Sequence, residues 1–585
     1  METHLSLPIL LSILAMTTAC GSGSTAPTDN EDFFVPNDLG AVSDNPFDQD
    51  RLMIVQVNMP ASDFEALAWE GRSLDVGISQ CPSHDFEYTE FKAKVNIDGE
   101  VLDDVIIRKK GYLGSLSPTK PSLKLDFDEA VEGRRFKGLK RMTLNNNRQD
   151  PTHARQCLAY SLYEKAGIRV PRCSLAQVYV NGNHLGIYTH VESIKKPFLE
   201  RVFNDKSGNL YEAQVSDFGQ SLNDSFQLKT NKTLNDRSDL QAVANALDIE
   251  NDAEFLNTIG NLIALDEFIS YWAIDTLTGN WDSATGNANN YYIYHNPSDQ
   301  KFHFIPWGLD AAFTGSNILK PNNGPLYNSH RLAKRLFAID SSRADYYARI
   351  NTFIDDIWQV NELTTYIDKI QSLTNSSSTE VNQLKTFITG NTIENKASHK
   401  DTILAAIENN GDDQIDYSLN DEAPNCDPIS STSITASFES IDDNDKGSFT
   451  FENAQGTQIT ANITWVSLGE EDIDGIVVTS DTSTLPSTTA LTLIGVDQAS
   501  VFRGDDPVDA YVLQVTVESP NYKTSSTNLH GFANSLMLFK VLEDKKLELI
   551  ATGRSGTIAF TSAGTGGSGN PIKGSVSAIM GHFIP

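Results

Sequence analysis

Two aspartates, Asp282 and Asp310, stand where an acid could do chemistry. Asp282 closes the loop-like run Gly279-Asn280-Trp281-Asp282, which follows a long apolar segment. Asp310 closes Pro306-Trp307-Gly308-Leu309-Asp310. Between them, Tyr291-Tyr292-Ile293-Tyr294 reads as a strand by its aromatic and β-branched content. Asn296-Pro297 marks a turn, and Phe302-His303-Phe304-Ile305 reads as the returning strand. Both ends of such a hairpin lie at one edge of a sheet, so the two carboxylates can converge. A convergent pair suits Mg-nucleotide chemistry. One carboxylate orients or deprotonates an attacking hydroxyl; the other holds a metal bridging the phosphates, often with an Asn beside it. Asn289 and Asn290 are the candidates for that amide. The plain alternative is that both aspartates cap turns, where Asp is favoured.

Such a site needs cations for phosphates, and elements to hold them. Lys and Arg crowd the stretch Arg108, Lys109, Lys110, Lys120, Lys124, Arg134, Arg135, Lys137, Lys140, Arg141, against Asp126, Asp128, Glu129 and Glu132. A basic island in an acidic chain is where a polyphosphate would be held, and equally a solvated basic face. Strands are expected at Met53–Val57, at Phe91–Ile97 and Val101–Ile107 around Asp98-Gly99, and at Ser122–Phe127. In the last, Leu123, Leu125 and Phe127 share one face, and Lys124 projects from the other. A lysine on a strand after a small-residue loop is how kinases reach nucleotide phosphates. A short helix is expected over Ser62–Trp69 with Ser62 as N-cap. Asp150-Pro151 should open another, with Asp150 as N-cap, Ala154, Leu158 and Leu162 on one face, and Gly167 ending it. Asn181-Gly182 is the turn of a further hairpin. Phe255–Thr278 has broadly helical spacing, and a broken helical pattern runs from Arg331 to Glu408. His153, His184, His190, His295 and His303 show no ligand spacing and read as structural.

The chain has 585 residues, too many for one ordinary domain. Its formal net charge of −32 argues against nucleic-acid or anionic-membrane binding by the chain as a whole. Leu5–Met16 is apolar but too short to span a bilayer, and reads as a targeting segment. Thr17-Thr18-Ala19-Cys20-Gly21 resembles a bacterial lipoprotein cleavage box, which makes Cys20 the expected site of lipidation. The segment from Gly21 to Asp50 is rich in small and polar residues, a tether rather than a core. The remaining cysteines, Cys81, Cys157, Cys173 and Cys426, permit two disulfides in an exported chain and fit no zinc motif. Cys157 on a helix and Cys173 just beyond its end are a plausible pair.

The motifs Gly279-Asn280-Trp281-Asp282, Asn290-Tyr291-Tyr292 and Pro306–Asp310 resemble the signature of the CotH family, the spore-coat-protein-H-like atypical protein kinases. Arg108, Lys110, Gly111, Lys120, Ser122 and Lys124 are similar to that family's R-x-K-G and K-x-S pattern. Asp150-Pro151-Thr152, Val191-Glu192 and Gly208-Asn209-Leu210-Tyr211 resemble further motifs in the same order. The resemblance implies ATP and Mg²⁺, with phosphoryl transfer to Ser or Thr of an exported protein. Asp282 would be the base, and Asn290 and Asp310 would hold the metal. Arg108, Lys110 and one of Lys120 and Lys124 would hold phosphate. Two positions depart from the pattern: Gly308 replaces the first Asp of the PWDLD-type turn, and Gln156 replaces an acid on the helix. Glu192 is the candidate for the missing acid, or faces the base or ribose.

Composition shifts at Asn409 to an acidic linker, then to alternating Ser, Thr, Val and Ile. The expected organisation is a signal peptide over 1–20, a flexible linker over 21–47, a CotH-like kinase domain over 48–409, an acidic linker over 410–433 and a β-sandwich-like domain over 434–585. The expected fold class is α+β: a kinase-like β-rich N-terminal lobe and helical C-terminal lobe, then the sandwich. The expected place is the bacterial cell envelope or exterior, held to the membrane by the N-terminal lipid alone. The same residues allow an alternative, a catalytically silent surface lipoprotein that binds a protein or glycan, to which Gly308 and Gln156 point.

Overall fold

The computed structural model describes residue 33 and residues 42–582, except 72–86, 112–114, 116, 118, 214–215, 220–225, 315–323, 392, 394–395, 412–413, 416–430, 443, 454, 470–487, 504–507, 519–521, 530–534, 543–546 and 567–568. The expectations for the signal peptide, Cys20, Cys81, Cys426 and most of the acidic linker lie outside the described residues. No helix among the described residues is long and apolar enough to cross a membrane.

The N-terminal part alternates inward apolar and outward polar residues, and its strands close on themselves. These are β1 (Leu52–Asn58), β2 (Phe91–Ile97), β3 (Glu100–Lys109), β4 (Leu123–Asp126), β5 (Arg141–Asn145), β6 (Cys173–Val180) and β7 (Asn183–Val191), with the helix α1 (Ala61–Trp69) after β1. They form a closed barrel in the order β1-β2-β3-β4-β5-β7-β6, sealed by the parallel pair β1–β6. Val55, Val57, Val95, Ile97, Val105, Ile107, Leu123 and Leu125 fill it. Lys124 points outward as expected, opposite Arg108 on β3.

The helix α2 (Arg155–Lys165) begins later than Asp150-Pro151 suggests, with Ala154 at its N-cap. His153 at φ +60 interrupts the helical path there. Asp150 still serves the helix start, because its carboxylate accepts from the Arg155 amide at 2.9 Å. In α1 the N-cap is Pro60 rather than Ser62. A disulfide joins Cys157 of α2 to Cys173 at the start of β6, Cα to Cα 5.4 Å.

Next come α3 (Lys196–Phe203), β8 (Asn209–Ala213), β9 (Phe226–Leu228) and α4 (Ser238–Leu247). The expected helix over Phe255–Thr278 is two, α5 (Asp252–Leu262) and α6 (Leu265–Leu277). The break exists because Ile263 bridges Phe302 and the Ala264 amide donates to Phe302 O at 3.0 Å. After α7 (Ala284–Asn287), β10 (Tyr291–Asn296) and β11 (Lys301–Pro306) form the hairpin, within a four-stranded sheet ordered β11-β10-β8-β9. A short pair, β12 (Leu326–Tyr327) and β13 (Gln414–Ile415), brackets the helices α8 (Arg331–Phe337), α9 (Asp340–Asp356), α10 (Val360–Thr374), α11 (Ser378–Thr389) and α12 (His399–Glu408).

The C-terminal part is not a sandwich. It contains β14 (Ser431–Ile441), β15 (Asn444–Glu452), β16 (Gln458–Gly469), β17 (Thr488–Asp497), α13 (Gln498–Arg503), β18 (Ala510–Glu518), β19 (Ser526–Asn528), β20 (Ser535–Val541), β21 (Leu547–Ala563) and β22 (Ile572–His582). They make one nine-stranded sheet, and the pairings β21–β22 and β22–β14 close it into a barrel, with β19 added on β21. Phe438, Phe449, Phe451, Leu491, Leu513, Leu538 and Phe560 pack inside.

Candidate active site

The loop that carries Asp282 is fixed from below. Gly279 leaves α6 at φ +55, where a Cβ would stand 2.8 Å from the Phe387 ring. Asp275, fully buried on α6, accepts from the Thr285 amide at 3.1 Å and the Thr285 hydroxyl at 2.7 Å. It also accepts from the Tyr163 phenol of α2. Burial pushes the Asp275 carboxyl up to about 6 against those donors. This anchor was not foreseen; its signal in the sequence is an acid on the apolar helix that delivers the chain to Asp282.

At the other end, Tyr291 pairs with Pro306, and the Trp307 amide donates to Asn290 O at 3.1 Å. The residues flanking the hairpin are thereby brought side by side. Asp282 accepts from the amides of Asn287 at 2.9 Å, Asn289 at 3.1 Å and Asn290 at 2.6 Å. Burial lifts its carboxyl to about 6; the Asn287 and Asn289 amides oppose the rise, and the Asp310 charge adds to it. Burial also raises Asp310, against its own backbone amide and Lys110, with Asp150 adding to the rise.

Lys110 is the cation at this point. Its Nζ donates to Asn145 Oδ1, whose Nδ2 donates to Gln156 Oε1 at 2.8 Å. Gln156 in turn contacts Asn147 Oδ1 at 3.4 Å, and Thr189 donates to the same oxygen at 2.6 Å. The lysine is thus steered by amides rather than paired with an acid on α2. Its Nζ lies 5.5 Å over the Trp307 ring. Burial brings it down to about 8, while Asp310 and Glu212 pull the other way.

Glu192 does not join the group. Its carboxylate is held by Arg172 at 2.8 Å and Arg201 at 2.6 Å. The expectation that it partners the site lysine or faces the nucleotide is corrected accordingly: two guanidiniums already saturate it. The acid near the lysines is Glu212, one residue past the Gly-Asn-Leu-Tyr motif. Burial alone would raise it, but Lys229, Tyr292 and Lys195 bring it down to about 2. Lys124 lies in the same field: burial, then Lys195, Arg108 and Arg141, push it well below the usual lysine range, and Glu212 opposes them. Lys120 takes another place, with its Nζ 5.2 Å over the Tyr188 ring of β7.

Backbone in the left-handed region clusters here: Gly279 +55, Ala288 +52, Asn290 +51, Gly308 +58 and Phe313 +60. Such conformations gather where a structure needs an unusual path. Gly308 is not a spare position. A Cβ there would stand 2.8 Å from Asn290 Cγ and 2.9 Å from its Oδ1. The Asn290 amide fills the room that a side chain on the turn would need.

The donors suit a hard cation. Among the described residues no group of three or more His, Cys, Asp or Glu is placed to hold a metal. Asp282, Asp310 and Asn290 offer oxygens only, and Mg²⁺ takes one or two carboxylates with substrate oxygens and water. The repulsion of Asp282 by Asp310 is what such an ion would relieve.

Fold and site define a mixed α+β chain that gathers two carboxylates, three asparagine amides and a half-buried lysine about the end of one hairpin. The CotH family model, described as CotH kinase protein, matches residues 107–410, and the chain belongs to this family. It is 24% identical over 188 residues to the inner spore coat protein H of Bacillus subtilis, which covers 30% of this chain and 51% of that protein. It is 25% identical over 185 residues to spore coat protein homolog 1 of Rhizopus delemar, 29% of each. The chain thus spans about half the length of the first relative. Among solved structures, the Helicobacter pylori proinflammatory kinase CtkA matches 49% of this chain and 95% of its own, at 14% identity and a TM-score of 0.27.

Proposed function

We propose that the chain is an atypical protein kinase that moves the ATP γ-phosphate to a Ser or Thr hydroxyl of an exported or surface protein. The observation that carries this reading is the hairpin end, where Asn290 donates to Asp282 and accepts from the Trp307 amide, and Lys110 lies over the Trp307 ring, three residues before Asp310. Asp282 is the base. A carboxyl near 6 is mostly ionised at neutral pH and still basic enough to take a hydroxyl proton. Its three asparagine donors fix the direction from which it works. Asp310 and Asn290 would hold Mg²⁺, while Lys110, Arg108 and Lys124 would hold phosphate oxygens. Mg²⁺, when bound, supplies positive charge to the transferred phosphoryl group. The Cys157–Cys173 disulfide supports an oxidising compartment, and Cys20 would carry the lipid that holds the chain to the cell envelope.

Gln156 and the lone carboxylate of the turn favour a second reading, a silent surface module for a protein or glycan. Thermal unfolding with Mg-ATP separates the two. A ligand at a hundred times its dissociation constant adds about 2.7 kcal/mol. A chain whose midpoint does not move in saturating Mg-ATP is not a kinase.

A further inference from the structure

Helix α2 packs against the turn Leu309–Ala311 that carries Asp310. Tyr160 sits on that helix, 3% exposed, and its hydroxyl has no hydrogen-bond partner among the described residues. Its ring belongs to the same apolar cluster as Leu309, Tyr271 and Tyr291. A phenylalanine would serve that packing equally well, and buried tyrosine hydroxyls ordinarily find an acceptor. Burial and then the Asp310 charge push the phenol well above the usual tyrosine range, so it stays a neutral donor. Arg155, at the start of the helix, has a buried Nε without a hydrogen bond, and its charge also acts on Asp310. The Asp310 carboxyl is itself pushed up by burial, with Lys110 opposing the rise. One helix thus brings an unused donor, the Tyr160 hydroxyl, beside the turn that carries Asp310, while the Arg155 Nε lies 3.9 Å from Asp150.

We propose that Tyr160 is a positioning residue of the site: its hydroxyl holds the Asp310 carboxylate when that group takes a cation. The proposal rests on the reading of Asp310 as a metal ligand. Arg155 also serves the helix start and its carboxylate neighbour Asp150, 3.9 Å away, so Tyr160 is the residue to test.

Tyr160→Phe removes one oxygen and leaves the ring. The full chain and the variant are compared in three measurements: Tm without ligand, Tm against Mn²⁺ alone, and turnover of Mg-ATP. The expected result is a Tm at or above the parent's and an Mn²⁺ midpoint raised about tenfold. Turnover should fall about tenfold at an unchanged KM for ATP. An unmoved Mn²⁺ midpoint with parental turnover overturns the proposal, because the hydroxyl is then a passenger. A lower Tm overturns it too, because the hydroxyl is then already bonded in the fold. A parent that turns over no ATP ends the kinase reading, and the Mn²⁺ midpoint then decides Tyr160 by itself. A tenfold shift keeps the proposal, and an unmoved midpoint or a parent that takes no Mn²⁺ overturns it.

Discussion

The chain builds two closed barrels and uses only one of them for the candidate site. In the first, β3, β4 and β5 turn Arg108, Lys124 and Arg141 outward, into the field of Glu212 and Lys195. In the second, the outward face of β14 carries Ser433, Thr435 and Ser437, while Ile434, Ala436 and Phe438 face in. The inward pattern is the same device in both, alternation about a packed apolar interior. The difference lies in what the outer face presents. A strand's inner residues secure the fold, and its outer residues are free to be recruited.

The largest expected effect separates the two regions by activity. Asp282→Asn removes the base and should lower turnover by about a hundredfold or more, with unchanged circular dichroism. Ser437→Ala on the outward face of the second barrel should leave turnover at the parent rate. A variant at Asp282 that keeps its rate would erase the distinction.

Core truncation sharpens it. Leu125 and Leu513 are both fully buried, one in each barrel. Each change to Ala should cost about 2–5 kcal/mol. Leu125→Ala should also weaken the Mg-ATP stabilisation, because Lys124 and Arg108 ride on its strands. Leu513→Ala should leave that stabilisation intact. Equal loss from both would mean that the barrels do not divide the labour in this way.

Alternation was legible in the sequence; closure was not. Residues such as Ile434, Ala436 and Phe438 announce one buried face, but the pairing of β14 with β22 joins segments more than a hundred residues apart. No local pattern encodes that, which is why a sandwich was expected. The hairpin around Asn296-Pro297 was readable because its signals are local, and so was the direction of Lys124. The break between α5 and α6 comes from a tertiary contact with Phe302, and α2 starts late because of His153's backbone. At the site, Asp282, Asp310, Asn289 and Asn290 stood out by type and spacing. Asn287, Asp275 and Glu212 did not, since their roles depend on what the fold brings beside them. Glu192 resembled a site acid by motif, and only the placement of Arg172 and Arg201 shows what holds it.

Smaller effects follow from charge and backbone. Asp282 rises from 3.8 to about 6 on folding, so the folded chain holds this proton more tightly than the unfolded one. Its contribution to stability therefore falls as pH climbs from about 4 to about 6, and does nothing below that window. Asp282→Asn should flatten that slope and gain up to about 3 kcal/mol above pH 6. Unfolding midpoints taken between pH 4 and 8 check it; a slope unchanged by the substitution would contradict it. Gly308→Asp should cost about 1–3 kcal/mol through its positive φ and the contact with Asn290. Denaturant midpoints that match the parent would show that the turn has slack.

The most direct measurement of the central claim is Mg-dependent turnover of ATP, or autophosphorylation, by Asp310→Asn beside the parent, with circular dichroism to certify the fold. The parent should label itself or turn over ATP only with Mg²⁺, and the variant should be inactive at a native spectrum. A variant that loses only thermal stability and turns over ATP at the parent rate would contradict it, leaving Asp310 as a cap on the turn and nothing more.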